Sequence, residues 1–201
     1  MQEITDIETQ SRSKYLIVGL GNPGRRYRGN RHNIGFMTVN SLAEKCDIRL
    51  GRVQSNAITG DGSMAGRSLI LAKPQTYMNL SGYAIGSLVR YYRIPLANLL
   101  VIFDEIDLPF GTLRFREQGG SGGHNGMKSI IERIGRDFPR MRLGVGRPPG
   151  YMDPSDYVLQ NFSAGEMPIV TEMIDQAVEA IQTYLQDGLD IAMTRHNKQI
   201  I

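Results

Sequence analysis

The chain has 201 residues, 21% of them charged and 41% hydrophobic, with a net charge of +3. This length and composition favour a single globular domain, and so small a charge does not by itself indicate a nucleic-acid partner. The lack of any apolar run of about eighteen residues excludes a transmembrane helix, and the single cysteine, Cys46, excludes an internal disulfide or a cysteine-based zinc site.

The first elements in chain order are a tail, a strand and a helix. Residues 1–13 are polar and acidic, without the apolar centre of a signal peptide, and are predicted to be a flexible tail. The single domain is predicted to span residues 14–201. Residues 15–20 form an apolar run that ends in glycine, which predicts a buried strand, and apolar spacing predicts a helix over about 34–46. Cys46 lies in that apolar stretch, which favours a buried thiol over a nucleophile.

The middle of the chain continues this alternation. Residues 53–73 have the pattern of two strands around a glycine-rich turn, and Leu80 to Tyr92 has the spacing of a helix that Asn79 or Ser81 could cap. Residues 99–108 form the most apolar strand pattern in the chain, and it breaks into carboxylates at its end. Because this strand is so apolar, we expect it to be buried on both faces, at the centre of a layered sheet.

The C-terminal half adds strands, a glycine-rich loop and a long helix. Strands are predicted at 112–117 and 141–149, with the glycine-rich loop at 119–126 and a short helix at 128–135 between them. A long amphipathic helix is predicted over 163–186. Strands and helices that alternate in this way predict an α/β fold, with one three-layer α/β/α domain around a mixed, mostly parallel central sheet.

Residues 19–24 match the G-x-G-x-x-G pattern of dinucleotide-binding loops. Such a loop needs a helix that begins within the glycines, so that the helix N-terminus meets the pyrophosphate. Here the glycines lead into an arginine-rich segment at 25–31 without apolar spacing. The acidic residue at the expected distance, Glu44, lies inside the following predicted helix. The pattern therefore does not indicate a dinucleotide site.

A second pattern, G-x-S-x-G at 119–123, would make Ser121 a nucleophile of the α/β-hydrolase type. A nucleophile of that type follows a buried apolar strand, whereas polar residues precede this loop. Five small residues in a row also match the pattern easily. A serine hydrolase that uses Ser121 with His124 and Asp104 therefore stays open only as a rival interpretation.

Two of the three histidines, His32 and His124, lie in glycine-rich loops, and each directly precedes an asparagine. The third, His196, lies in a polar C-terminal segment and is expected to be solvated. Polar residues also follow three of the predicted strands: Asn22, Asn79 and Asp104. Sites in open α/β sheets form beyond the carboxyl ends of parallel strands. We therefore expect these residues and the two histidine loops to converge on one cleft.

A histidine paired with a carboxylate is suited to activate water. The imidazole accepts a proton near neutral pH, and the carboxylate fixes its tautomer and stabilises the imidazolium that forms. Asparagine amides can bind a peptide backbone or stabilise an oxyanion without a charge. Because no cysteine or obvious metal cage accompanies them, these residues indicate ester hydrolysis without a metal or cofactor. The spacing alone does not separate His32 from His124 as the base.

Six segments resemble, in the same order, those of bacterial peptidyl-tRNA hydrolases. They are LIVGLGNPG with a tyrosine three residues on, RHNIG, PQTYMNLSG, DEIDLPFG, GGSGGHNG and MRLGVGRP. The resemblance covers about residues 14–195. It implies hydrolysis of the ester between a peptide and the 3′ end of tRNA, which releases free peptide and tRNA.

The resemblance also implies a role for each matching residue. His32 would be the catalytic base, Asp104 its partner, and Asn22 would lie beside the scissile carbonyl. Peptide binding is implied for Asn79 and Asn125, a wall of the cleft for Met78 and Tyr27, and a place near the tRNA terminus for His124.

A basic clamp on the 5′ phosphate of tRNA is implied as well. The matching positions are Arg116 and Arg142, with Arg114 and Arg140 close by on the same strands. Arginine binds phosphate through a planar pair of donors, and the family often has lysine at positions 114 and 116, so the geometry of the clamp differs here. A lid over the cleft is expected near 148–160, where the sequence departs from the family pattern.

The resemblance implies a monomer that binds peptidyl-tRNA, with no membrane and no obligate protein partner. A reducing cytoplasm is the expected location, in accord with the single cysteine. A non-catalytic RNA-binding protein on the same fold is the remaining alternative. The joint presence of Asn22, His32 and Asp104 favours the enzyme.

Overall fold

The computed structural model describes residues 14–199, so the tail predicted over 1–13 lies outside the described residues. Eight strands form one sheet in the order β2-β3-β4-β1-β5-β7-β6-β8. Their bounds are β1 Tyr15–Gly19, β2 Arg52–Gln54, β3 Ala57–Met64, β4 Arg67–Pro74, β5 Leu99–Glu105, β6 Thr112–Arg116, β7 Arg140–Gly144 and β8 Lys198–Gln199. The central strands β4, β1, β5 and β7 are parallel, and β3 and β6 run antiparallel to their neighbours. The predicted mixed sheet with a parallel centre is confirmed.

Helices cover both faces of this sheet. They are α1 Ile34–Lys45, α2 Ser81–Tyr92, α3 Asn125–Ile134, α4 Pro154–Val158, α5 Met167–Asp187 and α6 Leu189–His196. Apolar residues of α1 and α5 pack in one core cluster, and those of α2 and α3 pack in a second one. The predicted three-layer α/β/α fold is therefore confirmed. None of these helices is long and apolar enough to cross a membrane, a statement that covers residues 14–199.

Strand β5 shows why its sequence is a continuous apolar run. Leu100 and Ile102 face the cluster under α1 and α5, whereas Val101 and Phe103 face the cluster under α2 and α3. Successive side chains of a strand point to opposite faces, so a strand between two helical layers needs apolar residues at every position. The run ends where Asp104 reaches the edge of the sheet.

The hairpin region between α1 and α2 differs from the prediction. Three strands, β2, β3 and β4, occupy the segment for which two were predicted, and two-residue turns connect them. Both turns place their central residues at positive φ: 51° and 56° at Ser55 and Asn56, and 51° and 74° at Ala65 and Gly66. Such turns match the right-handed twist of a hairpin. The prediction missed the first turn because β2 is short and largely exposed. Helix α6 and strand β8 were not predicted either.

The start of α2 is capped from a neighbouring helix. Neither Asn79 nor Ser81 caps it, contrary to expectation, because Leu80 occupies the N-cap position and the Ser81 hydroxyl donates to the Met78 carbonyl. The Gly82 amide instead donates to Ser129 Oγ of α3, 3.0 Å away. This bond satisfies an amide that has no partner within its own helix. It also fixes the start of α2 against α3 beside the cleft.

Candidate active site

One cleft opens at the carboxyl ends of the parallel strands, with a volume of about 680 Å³. Asn22 follows β1, Asp104 lies near the end of β5, and Met78 and Asn79 follow β4; all four line the cleft. Because β4, β1 and β5 are adjacent in the sheet, their ends meet at one edge. The structure thus brings together the polar residues that follow these strands.

His32 and Asp104 form a buried pair in this cleft. His32 Nδ1 lies 2.9 Å from each carboxylate oxygen of Asp104, and both side chains are almost fully buried. The Nδ1–H group therefore donates to the carboxylate, which leaves Nε2 as the nitrogen that can accept a proton. No protein group within residues 14–199 bonds to that Nε2 atom. His32 lines the cleft, so this nitrogen is available to a water molecule there.

His124 also bonds to Asp104, but both of its nitrogens are occupied. Its Nε2 lies 3.0 Å from Asp104 Oδ1, and its Nδ1 accepts the Met127 amide proton at 3.3 Å. A nitrogen that accepts a backbone N–H carries no proton, so the proton of a neutral His124 is on Nε2 and donates to Asp104. His124 therefore helps to hold Asp104 and has no nitrogen left for a base.

The charges of this trio shift two pKa values in a consistent way. Burial alone would lower the pKa of His32, but the charge of Asp104 and its hydrogen bond raise it above the ordinary value. Burial alone would raise the pKa of Asp104, but the two histidines hold it well below its ordinary range. Asp104 thus remains an anion beside His32, which is the condition for stabilising an imidazolium.

Asn22 is oriented by three hydrogen bonds. Its Oδ1 atom accepts the Met78 amide proton at 2.9 Å, so its Nδ2 group is the donor that points into the cleft. Asn33 fixes its backbone, because Asn33 Oδ1 accepts the Asn22 amide proton at 2.9 Å and Asn33 Nδ2 donates to the Asn22 carbonyl at 3.0 Å. This role of Asn33 could not be predicted from the sequence, since the bonds depend on the fold of both loops.

Three of the four other residues that the resemblance assigns to the peptide line the cleft, and Tyr27 does not. Met78, Asn79 and Asn125 line the cleft, with Asn79 and Asn125 at the starts of α2 and α3. Tyr27 does not line it; its ring lies under the Arg26 guanidinium, 4.5 Å from it, on the turn after β1. The structure therefore gives Tyr27 no contact with the cleft.

The segment predicted to be a lid forms one wall of the cleft. It contains α4, and Pro154, Val158 and Leu159 line the cavity. Arg31 anchors the segment that follows: it makes bonds of 2.7 and 2.9 Å to Glu166 and stacks over the Tyr157 ring at 4.4 Å. Motion of this wall stays a prediction.

All four arginines of the predicted clamp lie on one face of the sheet. Arg114 and Arg142 are directly opposite each other on β6 and β7, and Arg116 is two residues from Arg114 on the same face. Arg142 Nη1 lies 3.4 Å from Glu105 Oε2, and its buried Nε has no hydrogen-bond partner. Neither Arg114 nor Arg116 pairs with a carboxylate of residues 14–199. Like charges directly opposite each other suit an anion that bridges them.

Arg140 does not fit a phosphate clamp. It is only 2% exposed, and its guanidinium donates to the carbonyls of Gly119, Gly120, Arg136 and Phe138. Burial, with Arg142 nearby, lowers its pKa to about 10, so it remains charged at neutral pH. The side chain ties the glycine-rich loop to β7. The spacing of arginines along β7 did not reveal this role, because Arg140 and Arg142 lie on the same face of the strand.

The rival motifs do not form sites. The glycines at 19–24 lead into a 3₁₀-helix at Arg25–Tyr27, and the first α-helix begins only at Ile34, so no α-helix begins within the glycines as a dinucleotide-binding loop requires. Among residues 14–199 the Ser121 hydroxyl forms no hydrogen bond with the His124 ring, whose nitrogens bond to Asp104 and Met127; the two residues share only the bond from the His124 amide to the Ser121 carbonyl, and Ser121 does not line the cleft. Both nitrogens of His124 are already bonded, so none remains to activate Ser121.

The surroundings of Cys46 and His196 test what the sequence predicted for these two residues. Cys46 is half-buried at the end of α1, and burial raises the pKa of its thiol, which does not suit a nucleophile. His196 is not freely solvated as expected, because its Nε2 lies 2.9 Å from the Thr183 hydroxyl. Burial and Lys198 lower its pKa.

A metal ion is a second use that the trio could serve. One ligand atom each from His32, Asp104 and His124 lies within 4.8 Å of the others. However, the nitrogen–oxygen separations of 2.9 and 3.0 Å are those of hydrogen bonds, and His124 Nδ1 is used by Met127. A proton on His32 Nδ1 and one on His124 Nε2 form hydrogen bonds to the Asp104 carboxylate. These three side chains therefore do not require a metal ion between them.

The chain is similar to proteins of one family over nearly its whole length. A family described as peptidyl-tRNA hydrolase matches residues 16–201. The peptidyl-tRNA hydrolase of Chloroflexus aurantiacus is 48% identical to it, over 91% of this chain and 98% of that protein. A protein of Arabidopsis thaliana, named chloroplastic group IIB intron splicing facilitator CRS2-B, is 45% identical over 91% of this chain and 77% of its own length.

The fold is also similar to that of solved structures. The crystal structure of peptidyl-tRNA hydrolase from Acinetobacter baumannii matches with a TM-score of 0.88 and 36% identity, over 92% of this chain and 95% of that one. The match is too long to arise from one shared motif, and it includes the central strands whose ends carry Asn22 and Asp104.

Proposed function

This chain belongs to the peptidyl-tRNA hydrolase family, and we propose that it cleaves the ester between a peptide and the 3′ end of tRNA with His32 as the base. Two kinds of support lead to this proposal. The family membership gives the reaction. The geometry of the cleft supports His32 as the base, because His32 Nε2 is the one ring nitrogen of the His32–Asp104–His124 trio without a hydrogen bond among residues 14–199.

The reaction begins with a water molecule bound at His32 Nε2. The imidazole removes a proton from this water as its oxygen attacks the ester carbonyl, and Asp104 stabilises the imidazolium that results. When the tetrahedral intermediate breaks down, the same proton passes to the departing 3′ oxygen of the tRNA. The peptide leaves as a carboxylic acid, which gives its proton to the solvent and becomes a carboxylate, and His32 returns to its neutral form.

Asparagine side chains hold the substrate around this base. Asn22 Nδ2 donates to the oxyanion, since its Oδ1 is held by the Met78 amide. Asn79 and Asn125 at the helix starts bind the peptide backbone, which is the same whatever the peptide sequence. Met78 packs beside them as an apolar wall.

On the tRNA side, Arg114, Arg116 and Arg142 bind the 5′ phosphate. Arg142 is the residue of this group nearest the cleft, because its partner Glu105 lines the cavity. His124, which belongs to the glycine-rich loop at 119–126 and lines the cleft, is proposed to lie near the terminal nucleotide. The enzyme is proposed to act as a monomer in the cytoplasm, without a metal or cofactor.

The deciding experiment is release of peptide from purified peptidyl-tRNA by the wild type, His32→Ala and His124→Ala. We expect His32→Ala to lose activity by two orders of magnitude or more, in line with loss of a general base. His124→Ala should keep measurable turnover, because His32 still bonds to both carboxylate oxygens of Asp104. Equal release by the wild type and His32→Ala would refute the proposed base. Unchanged release by Ser121→Ala is the companion result that excludes a serine hydrolase.

A second function is suggested by the relative named as an intron splicing facilitator. At 45% identity, that relative shows that the scaffold also occurs in a protein named for splicing. On this alternative the chain would bind RNA without cleaving esters. Tight RNA binding by the wild type without release of peptide would favour it, whereas release that depends on His32 would exclude it.

A further inference from the structure

Three exposed apolar side chains extend away from the cleft along the start of α2. Tyr77, Leu80 and Tyr83 are 58%, 43% and 54% exposed, respectively, and Tyr77 also lines the cleft. We call these three residues the apolar stripe. Single exposed apolar residues are ordinary, but a series that begins inside a binding cleft requires a different explanation.

The three residues of the stripe are spaced three apart along one turn and the start of a helix. Tyr77 is extended and leads into the 3₁₀-helix at Met78–Leu80, so it lies one turn before Leu80. Leu80 is the N-cap residue of α2, and Tyr83 lies three residues on in the first turn, where residues three apart are neighbours on the surface. The stripe therefore joins the cleft, which Tyr77 lines, to the exposed first turn of α2.

Arg133 of α3 fixes the outer end of the stripe. Its guanidinium lies 3.9 Å from the centre of the Tyr83 ring, which is a cation–π contact. A side chain held in this way loses less conformational freedom when it binds a ligand. The ring is thus ordered on one face and still more than half exposed to solvent.

The order of strands shows which half of the substrate would meet the stripe. Helix α2 follows β4, on one side of β1 and β5, which carry Asn22 and Asp104. Arg142 lies on β7, on the other side of that pair. If the arginines bind the 5′ phosphate as proposed, the tRNA half of an ester held at His32 lies towards β7. Its peptide half is directed towards α2.

On the basis of the proposed function, we propose that the apolar stripe is an extended subsite for the peptide, which binds apolar or aromatic side chains several residues from the ester. An extended peptide advances about 3.4 Å per residue, so each added residue carries it farther along the stripe, and Tyr83, at the outer end, would contact only the longer peptides. The stripe would add affinity for long apolar peptides without affecting the bond-breaking step.

The test compares substrates of different peptide length. KM is measured for tRNA that carries one N-acetylated amino acid and for tRNA that carries a six-residue peptide with aromatic residues at its far end. In Tyr83→Ala we expect KM for the long substrate to rise by about threefold to tenfold, which corresponds to the binding free energy of one aromatic contact. KM for the short substrate and kcat for both should stay unchanged, and Tyr83→Phe should keep the wild-type values.

Tyr91→Ala is the matched control, because Tyr91 is 55% exposed on the same helix but lies two turns farther from the cleft. This substitution should change KM and kcat for neither substrate. An equal rise in KM for both substrates would overturn the proposal in favour of a contact with the nucleotide, and no rise for either would show that the stripe binds no part of the substrate. A wild type that releases peptide from neither substrate would instead refute the proposed function.

Discussion

Asp104 accepts hydrogen bonds from two histidines, yet only one of them can act as the base. The difference lies in the second nitrogen of each ring: that of His124 accepts the Met127 amide, and that of His32 faces the cleft. The Asp104 carboxylate therefore bonds to His124, which has a structural role, and to His32, which is proposed to react. His124 contributes by holding Asp104 in place as an anion.

Replacement of Asp104 by asparagine should lower kcat on the order of 10²-fold to 10⁴-fold. The amide keeps the shape of the side chain, but it carries no charge to stabilise the imidazolium and can present a donor to His32 Nδ1. Single-turnover release of peptide measures the effect. A loss of less than tenfold would mean that Asp104 does not assist the base.

The pH dependence of kcat/KM should follow the neutral form of His32. Since Asp104 raises the pKa of His32 above its ordinary value, activity should rise with pH through that elevated pKa. In Asp104→Asn only the effect of burial remains, so the acidic limb of the profile should move to lower pH. Profiles from about pH 5 to about pH 8 distinguish these cases. A limb at the same pH in both proteins would contradict this origin of the shift.

Removal of divalent metals should leave turnover unchanged. Protons on His32 and His124 already satisfy the contacts with Asp104, so the trio needs no ion. Enzyme dialysed against a chelator is assayed beside untreated enzyme, with a magnesium-saturated tRNA substrate in both reactions. Loss of activity that added zinc restores would instead identify the trio as a metal site.

The helix pair α2 and α3 positions Asn79 and Asn125, and its close approach depends on one glycine. A Cβ atom at Gly82 would lie 2.0 Å from the Ser129 carbonyl oxygen, whereas one at Gly86 would meet side-chain atoms of Ile134 and Arg133 at 3.5 and 3.8 Å, which are ordinary contact distances. Backbone atoms cannot yield as a flexible side chain can. Contact at Gly82 therefore fixes the separation of the two helices beside the cleft.

Gly82→Ala should lower the free energy of unfolding by about 3 kcal/mol, because an overpacked contact must displace one helix. Gly86→Ala, on the same helix, should be neutral or stabilise the protein by up to about 1 kcal/mol, since alanine is the better helix former. Urea denaturation measures both. Equal effects of the two substitutions would show that the contact with Ser129 is not the constraint.

Much of the fold and part of the site could be predicted from the sequence. The run that forms β5 is apolar on both faces, and this property is visible in one dimension. The bond from Ser129 to Gly82 is not visible there, because it joins residues of two different helices. In the same way, the roles of His32 and His124 differ only through the Met127 amide, which residue spacing does not show. Only the resemblance to the peptidyl-tRNA hydrolase family predicted that His32, and not His124, is the base.

Across the whole molecule, the small net charge gives little information, because function depends on where the arginines lie. Arg140 and Arg142 are two residues apart on one face of β7, yet one is surrounded by carbonyls and the other reaches the cleft wall. The first holds the glycine-rich loop to the sheet. The second, with Arg114 opposite it, is free to bind an anion once Glu105 gives way.

These two arginines should therefore respond differently to the same substitution. Arg142→Gln should raise KM about tenfold for peptidyl-tRNA that has its 5′ phosphate, since a charge-assisted hydrogen bond is lost, and should leave unfolding within about 1 kcal/mol of the wild type. Arg140→Gln should instead destabilise the protein by about 3 kcal/mol, because buried carbonyls lose their donor. Substrate that lacks the 5′ phosphate is the control for Arg142→Gln and should show no difference from the wild type. A rise in KM that persists with that substrate would place the phosphate elsewhere, and a stable Arg140→Gln protein with a raised KM would return Arg140 to the clamp.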